Sequence, residues 1–104
     1  MPRNSYQLRI SAFRPAADFH QIDRYAIKNE GLACAYEITP HEGRSTLGIA
    51  IPSAEGDGVS VAIAMVKETG MTAAELATAK DLHQLAEVQI RERVAAMYRS
   101  RNEG

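Results

Sequence analysis

Hydrophobic and polar residues alternate along the first segment of the chain. The apolar side of this segment consists of Tyr6, Leu8, Ile10 and Ala12. A period of two residues is typical of a strand that is buried on one face, so the pattern predicts a first strand over residues 6–13. Apolar residues then recur at helical spacing after Pro15, which predicts a helix at about 15–30.

Three further strand patterns follow in the middle of the chain. They span residues 32–38, 46–51 and 59–66. Pro40 and Pro52 follow the first two, and glycine-containing loops separate all three, as in hairpins. The order strand, helix, three strands and helix predicts one α+β domain over residues 1–104. We expect a small, mainly antiparallel sheet with both helices on one face.

The C-terminal third has the pattern of one long helix. Thr72 and Glu75 have the spacing of a capping box, and residues 71–102 contain no glycine or proline. We expect a helix over about 72–101, roughly 45 Å long. A break near Lys80 is the alternative. The apolar stripe of the predicted helix consists of Leu76, Ala79, Leu82, Ala86, Ile90, Val94 and Met97.

Three residues of this helix are predicted to form a partner or dimer interface. Leu85 and Val88 lie off the apolar stripe, and Tyr98 borders it. A helix of roughly 45 Å exceeds a domain about 30 Å across, so part of its apolar surface is expected to remain uncovered. A closed two-fold homodimer is the commonest way to bury such surface. Packing against the first helix is the alternative.

Charge is distributed unevenly along the chain, although the net charge is −1. Residues 1–31 carry five basic and three acidic side chains, residues 32–90 carry three and eight, and residues 91–104 carry four and two. The last segment holds Arg91, Arg93, Arg99 and Arg101. Arginines there suit the negative end of a helix dipole. If the two basic ends meet, they would form a nucleic-acid contact surface, which is the alternative function.

Residue types that carry catalysis or bind metals are scattered. Cys34 is the single cysteine, and an apolar strand usually holds cysteine as an inert hydrophobe. The histidines, His20, His41 and His83, are far apart in the sequence. His83 and Glu87 lie one helical turn apart, but two ligands are too few for a metal site. We therefore expect no catalytic, metal-binding or cofactor-binding residues, and no enzyme.

Two segments resemble known families. Residues 70–77 resemble the opening of a bacterial repressor helix-turn-helix, but Lys80, Asp81 and Glu87 stand where that motif has buried residues and a turn glycine. The order of elements over residues 15–100 is similar to a double-stranded RNA-binding domain. That resemblance implies phosphate contacts from lysines at the start of the second helix, where this chain has none.

Composition narrows the class of protein further. Apolar residues make up 45 % and charged residues 24 %, as in globular proteins. No apolar run approaches the roughly 18–20 residues of a membrane span, and residues 1–5 show no signal-peptide core, so we expect a cytoplasmic protein. The near-neutral net charge does not favour phosphate binding. The sequence therefore favours a non-enzymatic regulator, adaptor or inhibitor that binds another protein, and it does not identify that partner.

Overall fold

The computed structural model describes residues 6–19, 31–66 and 70–103. The elements are β1 (Tyr6–Ile10), β2 (Arg14–Pro15), a 3-10 turn (Ala16–Phe19), β3 (Leu32–Pro40), β4 (Thr46–Glu55), β5 (Gly58–Met65) and α1 (Ala73–Glu103). The strands form one sheet in the order β1-β3-β4-β5, with β2 beside β3, and these pairings are antiparallel. The predicted α+β fold, with an antiparallel sheet and a long C-terminal helix, is confirmed.

Each face of the sheet carries its own core. Alternate strand residues point to opposite faces, so β3 and β4 contribute to both cores. The core beneath α1 contains Cys34, Tyr36, Ile38, Ala50 and Val61 together with Ala86, Ile90, Val94 and Ala95 of the helix. The core on the opposite face contains Ala16, Phe19, Ala33, Ile49 and Ile51. The 3-10 turn therefore packs on the face that α1 leaves uncovered, whereas the sequence predicted helical residues on one face only.

The predicted start of the first helix is wrong. Pro15 lies in β2 and pairs with Leu32, and residues 16–19 form a 3-10 turn. The Ala16 N–H donates to the Gly31 carbonyl over 2.9 Å, which ties this backbone to the start of β3. The fixed φ of proline suits an edge strand as well as the first turn of a helix, so Pro15 alone could not distinguish them. Residues 20–30 of the predicted helix lie outside the described residues.

β4 continues beyond Pro52, which was predicted to end it. Pro52 pairs with Val61 of β5, whereas the ladder with β3 ends where Ala50 pairs with Cys34. The Val66 N–H donates to the Leu47 carbonyl. Hydrogen-bonded and non-hydrogen-bonded pairs alternate along an antiparallel ladder, so Pro52, five residues after Leu47, forms a non-hydrogen-bonded pair with β5. An N–H at residue 52 would therefore bond neither β5 nor β3, and β4 continues through the proline.

α1 begins with the predicted capping box. The Thr72 hydroxyl accepts a hydrogen bond from the Glu75 N–H (3.1 Å), and the Glu75 carboxylate accepts one from the Thr72 N–H (3.2 Å). A hydrogen bond to the Glu75 carboxylate from the Thr72 backbone, followed by one from the Thr72 side chain, lowers the pKa of Glu75 below its ordinary value. The helix then runs unbroken for 31 residues, about 46 Å. A break near Lys80 is therefore excluded, as is a helix-turn-helix within these residues.

Candidate functional site

The sheet covers the middle of the apolar stripe of α1. Ala86, Ile90 and Val94 are fully buried, whereas Leu76 and Met97 at the two ends of the stripe are half-buried. The buried part of the stripe packs on the four-stranded part of the sheet. The surface that the helix leaves partly uncovered on this side is therefore confined to the ends of the stripe.

The opposite side of α1 exposes two apolar side chains, Leu85 and Val88. Leu85 is 42 % exposed and Val88 is 65 % exposed. Val88 and the buried Ile90 are two residues apart, which places them about 200° apart around the helix. We define the outer face of α1 by its exposed residues Ala77, Asp81, Gln84, Leu85, Val88, Glu92, Ala96 and Arg99. Leu85 and Val88 lie at the centre of this face.

Two carboxylates flank the apolar pair on the outer face. Asp81 lies one turn before Leu85, and Glu92 lies one turn after Val88. Both acids are exposed, and neither forms an ion pair within the residues that the structure describes. Sequence reasoning had not included them in the interface, although their spacing of four residues from the apolar pair is visible in the chain. The outer face thus has an apolar pair at its centre, with Asp81 before the pair and Glu92, followed two turns later by Arg99, after it.

Tyr98, the third predicted interface residue, lies apart from this pair. It is half-buried, and its ring packs edge-on against Phe13 with 6.1 Å between the ring centroids. Ten residues separate it from Val88, or about 15 Å along the helix and about 80° around it. The structure therefore brings Leu85 and Val88 together and places Tyr98 at the contact between α1 and the segment after β1.

The arginines of α1 point in different directions. Arg91 binds Glu87, with 2.9 Å between the closest atoms, and also donates to the Val61 carbonyl of β5. Arg93 points to the other side of the helix, where it donates to the Leu8 carbonyl of β1 over 3.4 Å. Arg99 and Arg101 are exposed near the end of the helix. Because residues two apart differ by about 200° around a helix, these four side chains do not share a face.

The described parts of the two basic segments contact each other, but not through a cluster of arginines. Arg93 donates to the Leu8 carbonyl, and Phe13 packs against Tyr98. Arg9, by contrast, points away from α1 because Leu8 and Ile10 face the helix. Arg14 forms an ion pair with Asp18. Within the described ranges, the meeting of the two ends therefore creates no single surface of arginines.

A partly buried polar contact joins β3 to the middle of α1. The Tyr36 hydroxyl lies 2.5 Å from His83 Nε2, and the Tyr36 ring extends across Gly48 on β4. Burial, followed by the nearby Glu87 carboxylate, raises the pKa of Tyr36 above its ordinary value. Sequence reasoning missed this contact, because its partners are 47 residues apart and no periodicity relates them. The contact adds a polar link to the apolar packing between α1 and the sheet.

His83 makes stability depend on pH in a defined direction. Burial lowers its pKa below the ordinary value of 6.5; Glu87 opposes this shift and Arg91 adds to it. The unfolded chain therefore binds the proton first, and stability falls as pH decreases through about 6.5. In His83→Gln, we expect urea denaturation at a series of pH values to show a flatter dependence below pH 7. The same slope in both proteins would contradict this assignment.

The side chains considered for catalysis or metal binding are either unreactive or in contact with other side chains. Burial raises the pKa of the Cys34 thiol to about 11, so at neutral pH the group is protonated and a poor nucleophile. His83 and Glu87, the pair considered as metal ligands, contact Tyr36 and Arg91 instead. The described part of the chain contains no group of three side chains suited to a metal ion.

A cleft of about 210 Å³ lies between α1 and the loop that joins β3 to β4. Its walls include the apolar side chains of Met71, Ala79 and Leu82. An ion pair between Arg44 and Glu75 (3.6 Å) contributes to its lining. This cleft could not be predicted from the sequence, because its walls come from separate segments. Its paired charges favour no particular class of ligand.

The described residues define a small α+β protein, in which one long helix covers one face of an antiparallel sheet and exposes an apolar pair between two acids. No helix among these residues has the length and apolar character needed to cross a membrane. The chain matches no protein-family model, no curated protein and no solved structure. Its function is therefore inferred from its own surface.

Proposed function

We propose that this protein is a non-enzymatic regulator, adaptor or inhibitor that binds another protein through the outer face of α1. The exposure of Leu85 and Val88 on neighbouring turns carries this proposal. Both side chains lie opposite the buried stripe, so the fold does not need them to be apolar. Covering a leucine or a valine contributes about 1.5–3 kcal/mol for full burial, which gives a partner a reason to bind there.

A second copy of the chain is one candidate partner. The homodimer predicted from the sequence rested on an uncovered stripe and on Leu85 and Val88. The middle of the stripe is buried, so the exposed pair is the stronger of the two arguments. Light scattering at several concentrations measures the mass directly, and a monomeric mass throughout would remove the homodimer. The cytoplasmic location expected from the sequence belongs to the same proposal.

The double substitution Leu85→Ser with Val88→Ser tests the proposed function. We expect the variant to fold, because both positions are exposed, and to lose the partner that the parent protein captures from its native cell. The matched control is Leu47→Ser, since Leu47 is 38 % exposed on the opposite face of the sheet. Partners retained by the double variant, or lost equally with the control, would contradict the proposal.

A further inference from the structure

The two halves of α1 differ in how closely they pack on the sheet. In the C-terminal half, the helix contributes four buried side chains to the core: Ala86, Ile90, Val94 and Ala95. In residues 73–83, which we call the N-terminal segment of α1, Ala79 is buried, Leu76 and Leu82 are half-buried, and most other side chains are exposed. The cleft beside the loop after β3 lies under this segment. Segments with few buried apolar contacts open at a lower free energy than the core does.

Polar contacts hold the N-terminal segment at both of its ends. At its start, the capping box of Thr72 and Glu75 and the ion pair between Glu75 and Arg44 are exposed to solvent. An exposed ion pair contributes little, because water and salt screen it. At its end, His83 Nε2 lies 2.5 Å from the hydroxyl of Tyr36, which is 2 % exposed. This second contact joins the segment to a buried residue of the core.

The hydrogen bond between Tyr36 and His83 requires a neutral imidazole. The Tyr36 hydroxyl has no other hydrogen-bond acceptor among the described residues, so it donates to Nε2, and the neutral ring carries its hydrogen on Nδ1. Protonation places a hydrogen on Nε2 as well, and two donors then face each other. The hydroxyl must turn its hydrogen away from the ring, and a buried donor without an acceptor is destabilising.

Neighbouring charges on α1 do not compensate for this loss. The positions one turn before and after His83 hold Lys80, which has the same charge as an imidazolium, and Glu87, whose carboxylate is bound by Arg91. Burial lowers the pKa of His83, and Glu87, which favours the imidazolium, does not offset it. His83 therefore binds a proton more readily once it has left the sheet.

The elements packed against α1 provide no other counter-charge for an imidazolium. On β3, the Cys34 thiol shares the face of Tyr36 and is protonated at neutral pH. In the described strands β4 and β5, the residues that face α1 carry no titratable group. On β1, the Tyr6 hydroxyl donates to the Gln89 side chain over 2.6 Å. In the loop after β3, Arg44 is itself positive and binds Glu75.

We propose that protonation of His83 releases the N-terminal segment of α1 from the sheet, while the C-terminal half of the helix stays packed. Release becomes more frequent as pH falls below about 6.5 and uncovers Leu82 and the walls of the cleft. A helix shorter than about 12 residues is marginal in water, so the released segment unwinds and its amide hydrogens exchange. This inference is independent of the partner-binding role proposed for the outer face.

Native-state hydrogen exchange followed by NMR tests this inference. Protection factors, corrected for the intrinsic exchange rate, are compared at about pH 7.5 and about pH 5, each at several low urea concentrations. For the amides of residues 77–83, we expect lower protection than for residues 90–95 and a weak dependence on urea, as local opening produces. Their protection should fall by up to about 30-fold at the lower pH, the limit for a group with an ordinary pKa of 6.5 that is neutral in the closed state.

Three variants test the role of each side chain in the contact. His83→Gln should remove the pH dependence at residues 77–83, because glutamine does not titrate. His41→Gln is the matched control, since His41 is exposed in the loop after β3, and it should behave as the parent does. Tyr36→Phe keeps the ring but removes the hydroxyl, so protection of the same amides at neutral pH should fall roughly 2- to 10-fold, as for the loss of one hydrogen bond.

Four results would overturn the inference. Equal protection and equal urea dependence in residues 77–83 and 90–95 would mean that the segment opens only with the whole domain. Equal protection of residues 77–83 at both pH values would exclude release by protonation. A fall with pH that persists in His83→Gln would assign it to another group, and unchanged protection in Tyr36→Phe would show that the hydroxyl does not hold the segment.

Discussion

The Gly48→Ala variant is expected to lose about 2–4 kcal/mol of unfolding free energy, from steric overpacking and from disruption of the Tyr36–His83 contact. A Cβ at residue 48 would lie 2.1 Å from the nearest carbon of the Tyr36 ring and 2.2 Å from its hydroxyl oxygen. The ring cannot move aside freely, because Tyr36 is 2 % exposed beneath α1. Urea denaturation followed by circular dichroism measures the loss.

Two further variants show whether the ring causes this loss. Gly58→Ala is the matched control, since a Cβ there would meet its nearest neighbour at 3.8 Å, and we expect a change within about 0.5 kcal/mol. Tyr36→Leu lacks the distal ring atoms, so adding Gly48→Ala to it should cost much less than in the parent. Equal cost in both backgrounds would show that Tyr36 does not explain the glycine.

The Ile90→Ala variant should lose about 2–5 kcal/mol, the range for truncating a fully buried isoleucine and leaving a cavity. Ile90 is 0 % exposed and packs in the core between α1 and β3, β4 and β5. Neighbouring Ala86 and Val94 are also fully buried, and they are too small to fill the space left by the missing atoms. Equilibrium urea denaturation provides the measurement.

Val88→Ala serves as the control on the same helix. Because Val88 is exposed on the outer face, this truncation should change the unfolding free energy by no more than about 0.5 kcal/mol. A loss below about 1 kcal/mol in Ile90→Ala, or similar losses in both variants, would contradict the packing of α1 on the sheet.

Local signals in the sequence predicted most of the fold. The alternation in β1, the strand patterns bounded by prolines and glycine-containing loops in β3 to β5, and the capping box at the start of α1 each depend on neighbouring residues. The predictions were wrong at residues whose secondary structure depends on pairing with a strand that is distant in the sequence. Pro15 is held in β2 by Leu32, and Pro52 is tolerated because the ladder with β3 has already ended. Neither partner can be identified from the proline's own neighbours.

The candidate site also contains some residues that the sequence could predict and others that it could not. Leu85 and Val88 could be predicted, because their departure from the apolar stripe follows from helical spacing alone. Tyr98 could not be placed, since its position depends on Phe13, which lies 85 residues away in the chain. Tyr36, Gly48 and His83 come from three elements: the sheet register pairs Tyr36 with Gly48, and the packing of α1 on the sheet brings His83 to the Tyr36 hydroxyl. The coverage of the stripe likewise depends on how the helix crosses the sheet.

The contact between Arg91 and β5 has a consequence for aggregation. β5 is the last strand of the described sheet on that side, and the ladder places the N–H and C=O groups of Val61 on the side away from β4. Arg91 donates to this carbonyl and is itself held by Glu87. A strand from another molecule would have to displace a charged, ion-paired side chain before it could extend the sheet there. The Glu87–Arg91 pair on α1 thus also hinders a strand of another molecule from pairing with the exposed edge of β5.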